Sequence, residues 1–137
     1  MPRTKAKPSL TLIEKMLDEA SWLLSHAQAL DTYQRYDQAA EERAKAAICE
    51  EQVACLLEAD GQPLEAAIHR VSSASCYEKL GQHTRAVTLL RAALSTELQD
   101  DYRARIEKLL ARCLIQARKE LRKAATRLSR KKSTAVS

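Results

Sequence analysis

Apolar residues recur along this chain every three to four positions, the spacing that lines one face of an α-helix. Ile13, Leu17, Ala20, Leu24 and Ala27, with Met16, Leu23 and Leu30 beside them, trace one stripe and predict a first helix from about Thr11 to Leu30. Thr11 and Glu14 have capping-box spacing, in which the hydroxyl accepts from an orphan amide and the carboxylate reaches back. Residues 31–35 make the first connection. A second helix is predicted over Tyr36–Ala59, where Ala39, Ala40, Ala44, Ala46, Ala47 and Ala54 let helix axes come close. Gly61 ends it, Pro63 suits the first turn of a third helix reaching Leu80, and Glu65 complements that helix's N-terminal dipole.

Gly81 stops the third helix, and a fourth follows over His83–Ser95 with Ala86, Val87, Leu90, Ala93 and Leu94 inward. Thr96 and Gln99 form a second capping-box pair, and Asp100 and Asp101 put negative charge in the first turn of a fifth helix. Its stripe Ile106, Leu110, Cys113, Ala117, Leu121, Ala124, Leu128 advances by 4, 3, 4, 4, 3, 4. That is close to 3.67 residues per turn, so the stripe keeps to one face without left-handed supercoiling. The short links force antiparallel neighbours. The expected fold is all-α, an antiparallel array of about five helices over residues 9–128, with a repeat-like core at 36–100 and a long basic C-terminal helix. Residues 1–8 and 129–137 have little to bury and are expected to be disordered.

Composition supports this reading and narrows it. The 137 residues include 23 Ala and 19 Leu against 2 Gly, 3 Pro and no Phe, which excludes a β-rich fold. The chain is one domain at most, too short for a large catalytic barrel. No apolar run approaches the roughly 18 residues of a membrane span, which suggests a soluble, unexported, cytoplasmic protein. Cys49, Cys55, Cys76 and Cys113 lie inside apolar helical pattern, as small core residues of a reducing compartment would.

Charge is unevenly distributed. Residues 8–102 carry 8 Lys/Arg and 16 Asp/Glu, whereas residues 103–132 carry 12 Lys/Arg against Glu107 and Glu120. An acidic body thus precedes a basic last helix, and the asymmetry favours an anionic partner. Arg118, Lys119, Arg122, Lys123, Arg127, Arg130, Lys131 and Lys132 are the candidate polyanion contacts. They suit nucleic-acid phosphates, an acidic protein surface, an anionic membrane or plain solubility, and no aromatic residue lies among them to stack on bases. Trp22 is expected to anchor the first helix in the core.

The two glycine turns repeat one another. Leu57, Glu58, Gly61, Gln62 and Ala66 recur twenty residues later as Tyr77, Glu78, Gly81, Gln82 and Ala86. With Ala74, Leu90, Ala93 and Leu94, the second copy resembles the tetratricopeptide repeat, a helix-turn-helix unit of about 34 residues. The likeness is best over 67–100. Arg70, Ser73 and Leu98 depart from it, standing where that family favours Trp, Leu and Pro. A weaker likeness is to the microtubule-interacting-and-trafficking domain, through the third and fourth helices and Leu114, Ala117 and Leu121. The first resemblance implies a partner-binding groove at Ile68, Val71, Ser72 and Ser75. Since these are not the Lys and Asn of carboxylate-holding members, the groove would suit an apolar or helical segment. The competing reading of the four is burial against the first or second helix.

No arrangement of residues points to catalysis. Glu65 and His69 stand at i, i+4 and read as a local ion pair, Cys49 and Cys55 fall on nearly opposite helix faces, and two isolated glycines build no phosphate loop. The expectation is a non-enzymatic adaptor, with no cofactor and no metal, that binds a peptide or helix of a protein partner. The alternative is a nucleic-acid-associated protein that holds phosphates on its basic last helix.

Overall fold

The computed structural model describes the backbone of residues 8–136 and the side chains of residues 11–132. Five helices follow in order: α1 (Pro8–Thr32), α2 (Tyr36–Ala59), α3 (Pro63–Lys79), α4 (His83–Leu94) and α5 (Asp100–Val136). Each packs on its neighbours in the chain, α1 on α2, α2 on α3, α3 on α4 and α4 on α5. The protein is an all-helical array with no strand among the described residues.

One turn motif closes the first three links. After α2, the Gln62 amide donates to Leu57 O at 2.9 Å and the Gly61 amide to Glu58 O at 3.1 Å; after α3, Gln82 donates to Tyr77 O at 2.8 Å and Gly81 to Glu78 O at 3.0 Å. This is a Schellman cap, which needs a left-handed residue just past the helix, and the two glycines have φ of +75° and +76°. The same pair of bonds closes α1, from Arg35 to Leu30 O at 2.8 Å and from Gln34 to Asp31 O at 3.0 Å. There a glutamine takes φ +61°. The repeat therefore has a third copy, Leu30, Asp31, Gln34, Arg35 and Ala39, that shares spacing with the other two but not the glycine.

In each copy a carboxylate sits in the last helical turn, where the dipole disfavours it, and an arginine answers it. Arg43 reaches Asp31 at 2.7 Å, Arg70 reaches Glu58 at 2.6 Å, and Arg112 grips both oxygens of Glu78 at 2.7 and 2.9 Å. These bonds tie α2 to α1, α3 to α2, and α5 to α3.

Small side chains set the spacing of the helices. Ala20, Ala27, Ala39, Ala46, Ala54, Ala67, Ala74, Ala86 and Ala93 are completely enclosed, and Tyr77, Leu90, Ile106 and Val53 are the bulky residues between them. One cluster joins α3, α4 and α5 around Tyr77, Leu90, Ile106 and Cys113, and a second joins α1 to α2 through Ile13, Val53 and Leu57. Ser73, an outlier in the repeat pattern, is fully buried and donates to Ala47 O at 2.7 Å, so its hydroxyl is satisfied where α3 crosses α2.

Helix ends differ from expectation in three places. Since α1 begins at Pro8, Thr11 and Glu14 lie inside it rather than at a cap. Helix α5 begins at Asp100, which leaves Thr96 outside; instead Arg103 reaches back to Leu94 O at 3.1 Å and Thr96 O at 2.9 Å and covers carbonyls at the end of α4. Beyond Leu128, where the apolar stripe ends, α5 stays helical through Val136, continuing an already formed helix through Arg130, Lys131, Lys132 and Ala135, which favour it. Residues 1–7 and Ser137, within the two ends expected to be disordered, lie outside the described residues.

Candidate interaction surfaces

An open array leaves grooves between helices, and two of them are apolar. The larger, of about 610 Å³, runs along α2 between Leu12 and Met16 of α1 and Arg85 of α4. Along α2 it presents Ile48, Glu51, Gln52, Cys55 and Leu56. Ile48 and Cys55 are seven residues apart, two helical turns, so both face the same opening. Leu12 and Ile48 stay 48% and 47% exposed, which is apolar surface without cover.

Polar groups at one end of this groove are under-satisfied. Tyr77 is buried with its hydroxyl unbonded, and Glu51 Oε1 is also buried without a hydrogen-bond partner. Arg85 Nη2 is 3.8 Å from that oxygen, beyond hydrogen-bond reach, and its guanidinium lies 4.7 Å above the Tyr77 ring. Burial and then the Glu51 carboxylate push the Tyr77 phenol above its ordinary range.

The second groove, of about 490 Å³, is lined by Leu64 and Ile68 of α3, Glu97 and Gln99 of the link, and Tyr102 of α5. Of the four residues expected to form a groove on α3, Ile68 lines it and is 43% exposed. Val71 is half-buried and packs on the central core, and Ser72 and Ser75 are half-buried as well. The structure thus places Ile68 at an opening and turns Val71 toward the interior.

The cationic residues separate from the body. Ala117 is the last enclosed side chain of α5, and Glu120, which meets His83 Nδ1 at 2.5 Å, marks the last tie to α4. Past it, Leu121 and Leu128 are 67% and 62% exposed, although they continue the stripe that packs Ile106, Cys113 and Ala117. Arg118, Lys119, Arg122, Lys123, Arg127, Arg130, Lys131 and Lys132 are all exposed. Arg122, Lys123, Arg127 and Arg130 line a shallow hollow with Thr126.

Three sequence expectations are corrected. Trp22 is not a core anchor: it is 60% exposed and stacks on His26 at 4.8 Å, because among the described residues no other helix covers its face of α1. Cys55 is exposed, while Cys49, Cys76 and Cys113 are buried, since the groove opens over its turn of α2. His69 pairs with Glu50 of α2 at 2.5 Å instead of Glu65, as the α2–α3 contact brings that carboxylate closer. Burial raises the thiols of Cys49 and Cys76, and burial together with Glu78 pushes Cys113 up to about 11.

The larger groove and the overhanging end of α5 were missed from sequence. Ile48 and Cys55 sit in an alanine-rich helix with no clear apolar stripe, and the overhang depends on α4 being much shorter than α5. Among the described residues no helix is long and apolar enough to cross a membrane, and no three His, Cys, Asp or Glu side chains gather as a metal site would need. No protein-family model, curated protein or solved structure matches the chain. Fold and surfaces define a class, an open antiparallel helical array with apolar grooves and a basic projecting helix.

Proposed function

We propose that this protein is a non-enzymatic adaptor whose helical array holds a peptide or helical segment of a protein partner, in the manner of tetratricopeptide-like modules. The observation that carries this reading is the uncovered apolar groove of Leu12, Met16, Ile48, Cys55 and Leu56 along α2. A helix laid there would bury side chains at i, i+4 and i+7. The recurrent turn of Leu57–Gly61 and Tyr77–Gly81 supports the repeat-like resemblance.

A displayed peptide library panned against the full chain and against Ile48→Glu tests this. Peptides enriched by the wild type alone, with apolar residues at helical spacing, are the expected outcome. Equal enrichment by both proteins would overturn it. The second reading, phosphate binding by α5, draws on the exposed cluster of Arg122, Lys123, Arg127 and Arg130. It predicts oligonucleotide affinity that is indifferent to sequence and falls steeply with salt.

A further inference from the structure

The overhang of α5 has two faces. Leu121, Ala124 and Leu128 continue the buried stripe and face nothing, while cations occupy the rest of its circumference. Over residues 118–132 there are 8 Lys/Arg against Glu120, a net +7. From Leu121 to Val136 the helix projects roughly 22 Å. Two such overhangs cannot pair with each other comfortably, because their like charges would face at close range.

The complementary surface is present in the same chain. Residues 8–59, which form α1 and α2, carry 4 Lys/Arg against 10 Asp/Glu, a net −6. Their apolar groove presents Ile48 and Cys55 with the same seven-residue separation as Leu121 and Leu128, two turns or roughly 10.5 Å on either helix. Small Ala124 and Ala125 between the leucines allow close approach of the helices. The groove's own charged residues, Glu51 and Arg85, pair at 3.8 Å and offset one another, so the complementarity lies with the acidic residues of the two helices as a whole.

We propose that the groove between α1 and α2 receives the α5 overhang of a second copy of this chain. The proposal rests on the reading of that groove as a helix-holding surface and names its occupant. The contact joins two different patches, overhang to groove, so it either closes reciprocally as a two-fold pair or continues head-to-tail as a ring or open chain. Charge supplies steering and orientation, and Leu121 and Leu128 supply the buried area.

Cys55, the exposed thiol of the groove, makes a direct test possible. The full chain bearing Ser129→Cys, beside Leu128 and exposed, is treated with a short bis-maleimide. Dimers and longer ladders are expected, with the bridge mapped between Cys55 of one copy and the introduced thiol of another. Adding Cys55→Ser, or Arg122→Glu with Arg127→Glu, should reduce the yield about tenfold, as should about 1 M salt, where screening shortens to roughly 3 Å. Exposed positions are used throughout, so folding measured by circular dichroism stays as in the wild type. A product that runs as monomer, or bridges only between two introduced thiols, would overturn the proposal. So would a monomer whose cations instead bind a DNA duplex. A chain that does not crosslink but still binds library-selected peptides through Ile48 loses the second-copy occupant and keeps the adaptor reading; failure of both removes both.

Discussion

Gly81 ties backbone geometry to sequence most simply. Its φ is +76°, and a Cβ built there meets no atom within 4 Å, so Gly81→Ala adds conformational strain and no clash. An L-residue held in the left-handed region costs about 1–2 kcal/mol. Alanine returns about 0.4–1 kcal/mol by narrowing the unfolded ensemble. The expected net loss is about 1 kcal/mol, or roughly 4 °C in Tm for a chain of this size. Gly81→Asn should lose less, since asparagine tolerates this conformation, and Gly81→Val more, since a β-branched side chain does not. Gln34 provides the opposite experiment. It is exposed and already strained at φ +61°, so Gln34→Gly should stabilise by up to about 1 kcal/mol. Urea unfolding followed by far-UV circular dichroism reads all four variants, provided the slope with denaturant is unchanged. A midpoint for Gly81→Val at or above wild type, or a destabilised Gln34→Gly, would refute the claim that one left-handed cap closes all three turns.

The chemistry of the side chains yields two further expectations. In native protein at pH 8 and about 1 M salt, where the contact between copies is screened, a thiol reagent should label Cys55 rapidly and reach Cys49, Cys76 and Cys113 after unfolding, with site mapping by mass spectrometry; rapid native labelling of Cys113, whose pKa is pushed up to about 11, would contradict the packing of α5. The Arg112 hydrogen bond holds the Glu78 carboxyl below its ordinary range, so its stabilisation is complete above that range and fades as pH falls through the lower folded value. Glu78→Gln should therefore flatten the acid limb of the stability profile below about pH 5, and an unchanged limb would show that the pair contributes nothing.

Much of the fold is legible in the sequence because its signals are local. Gly61, Gly81 and Pro63 mark the α2–α3 and α3–α4 links, and the period of Ile106 to Ala117 follows the buried face of α5. Local pattern misleads where tertiary context decides. Thr11 and Thr96 have capping spacing, yet neither caps, because α1 starts at Pro8, before Thr11, and α5 starts at Asp100, well past Thr96. The first connection is placed at residues 31–35 by the pattern, but its kinship with the other two is hidden, since Gln34 replaces the glycine that advertises them. The surfaces were harder to read. Whether a residue faces a groove depends on which helix comes next: Ile68 stays open, Val71 meets the core, and Trp22 lacks a neighbour. Leu121 and Leu128 obey the same period as Ile106 and Ala117 but lie past the end of α4, which no periodicity within α5 reveals.

The account's central claim is that the groove along α2 holds a helix. The affinity of one library-selected peptide for the wild type and for Ile48→Glu, measured by fluorescence anisotropy with melting curves recorded in parallel, tests it most directly. Ile48 is 47% exposed, so a carboxylate there leaves the fold intact while placing a charge under the apolar face of the bound helix. The account predicts a loss of affinity of at least about tenfold, or about 1.4 kcal/mol, with an unchanged melting temperature. Equal affinity in the two proteins would contradict it.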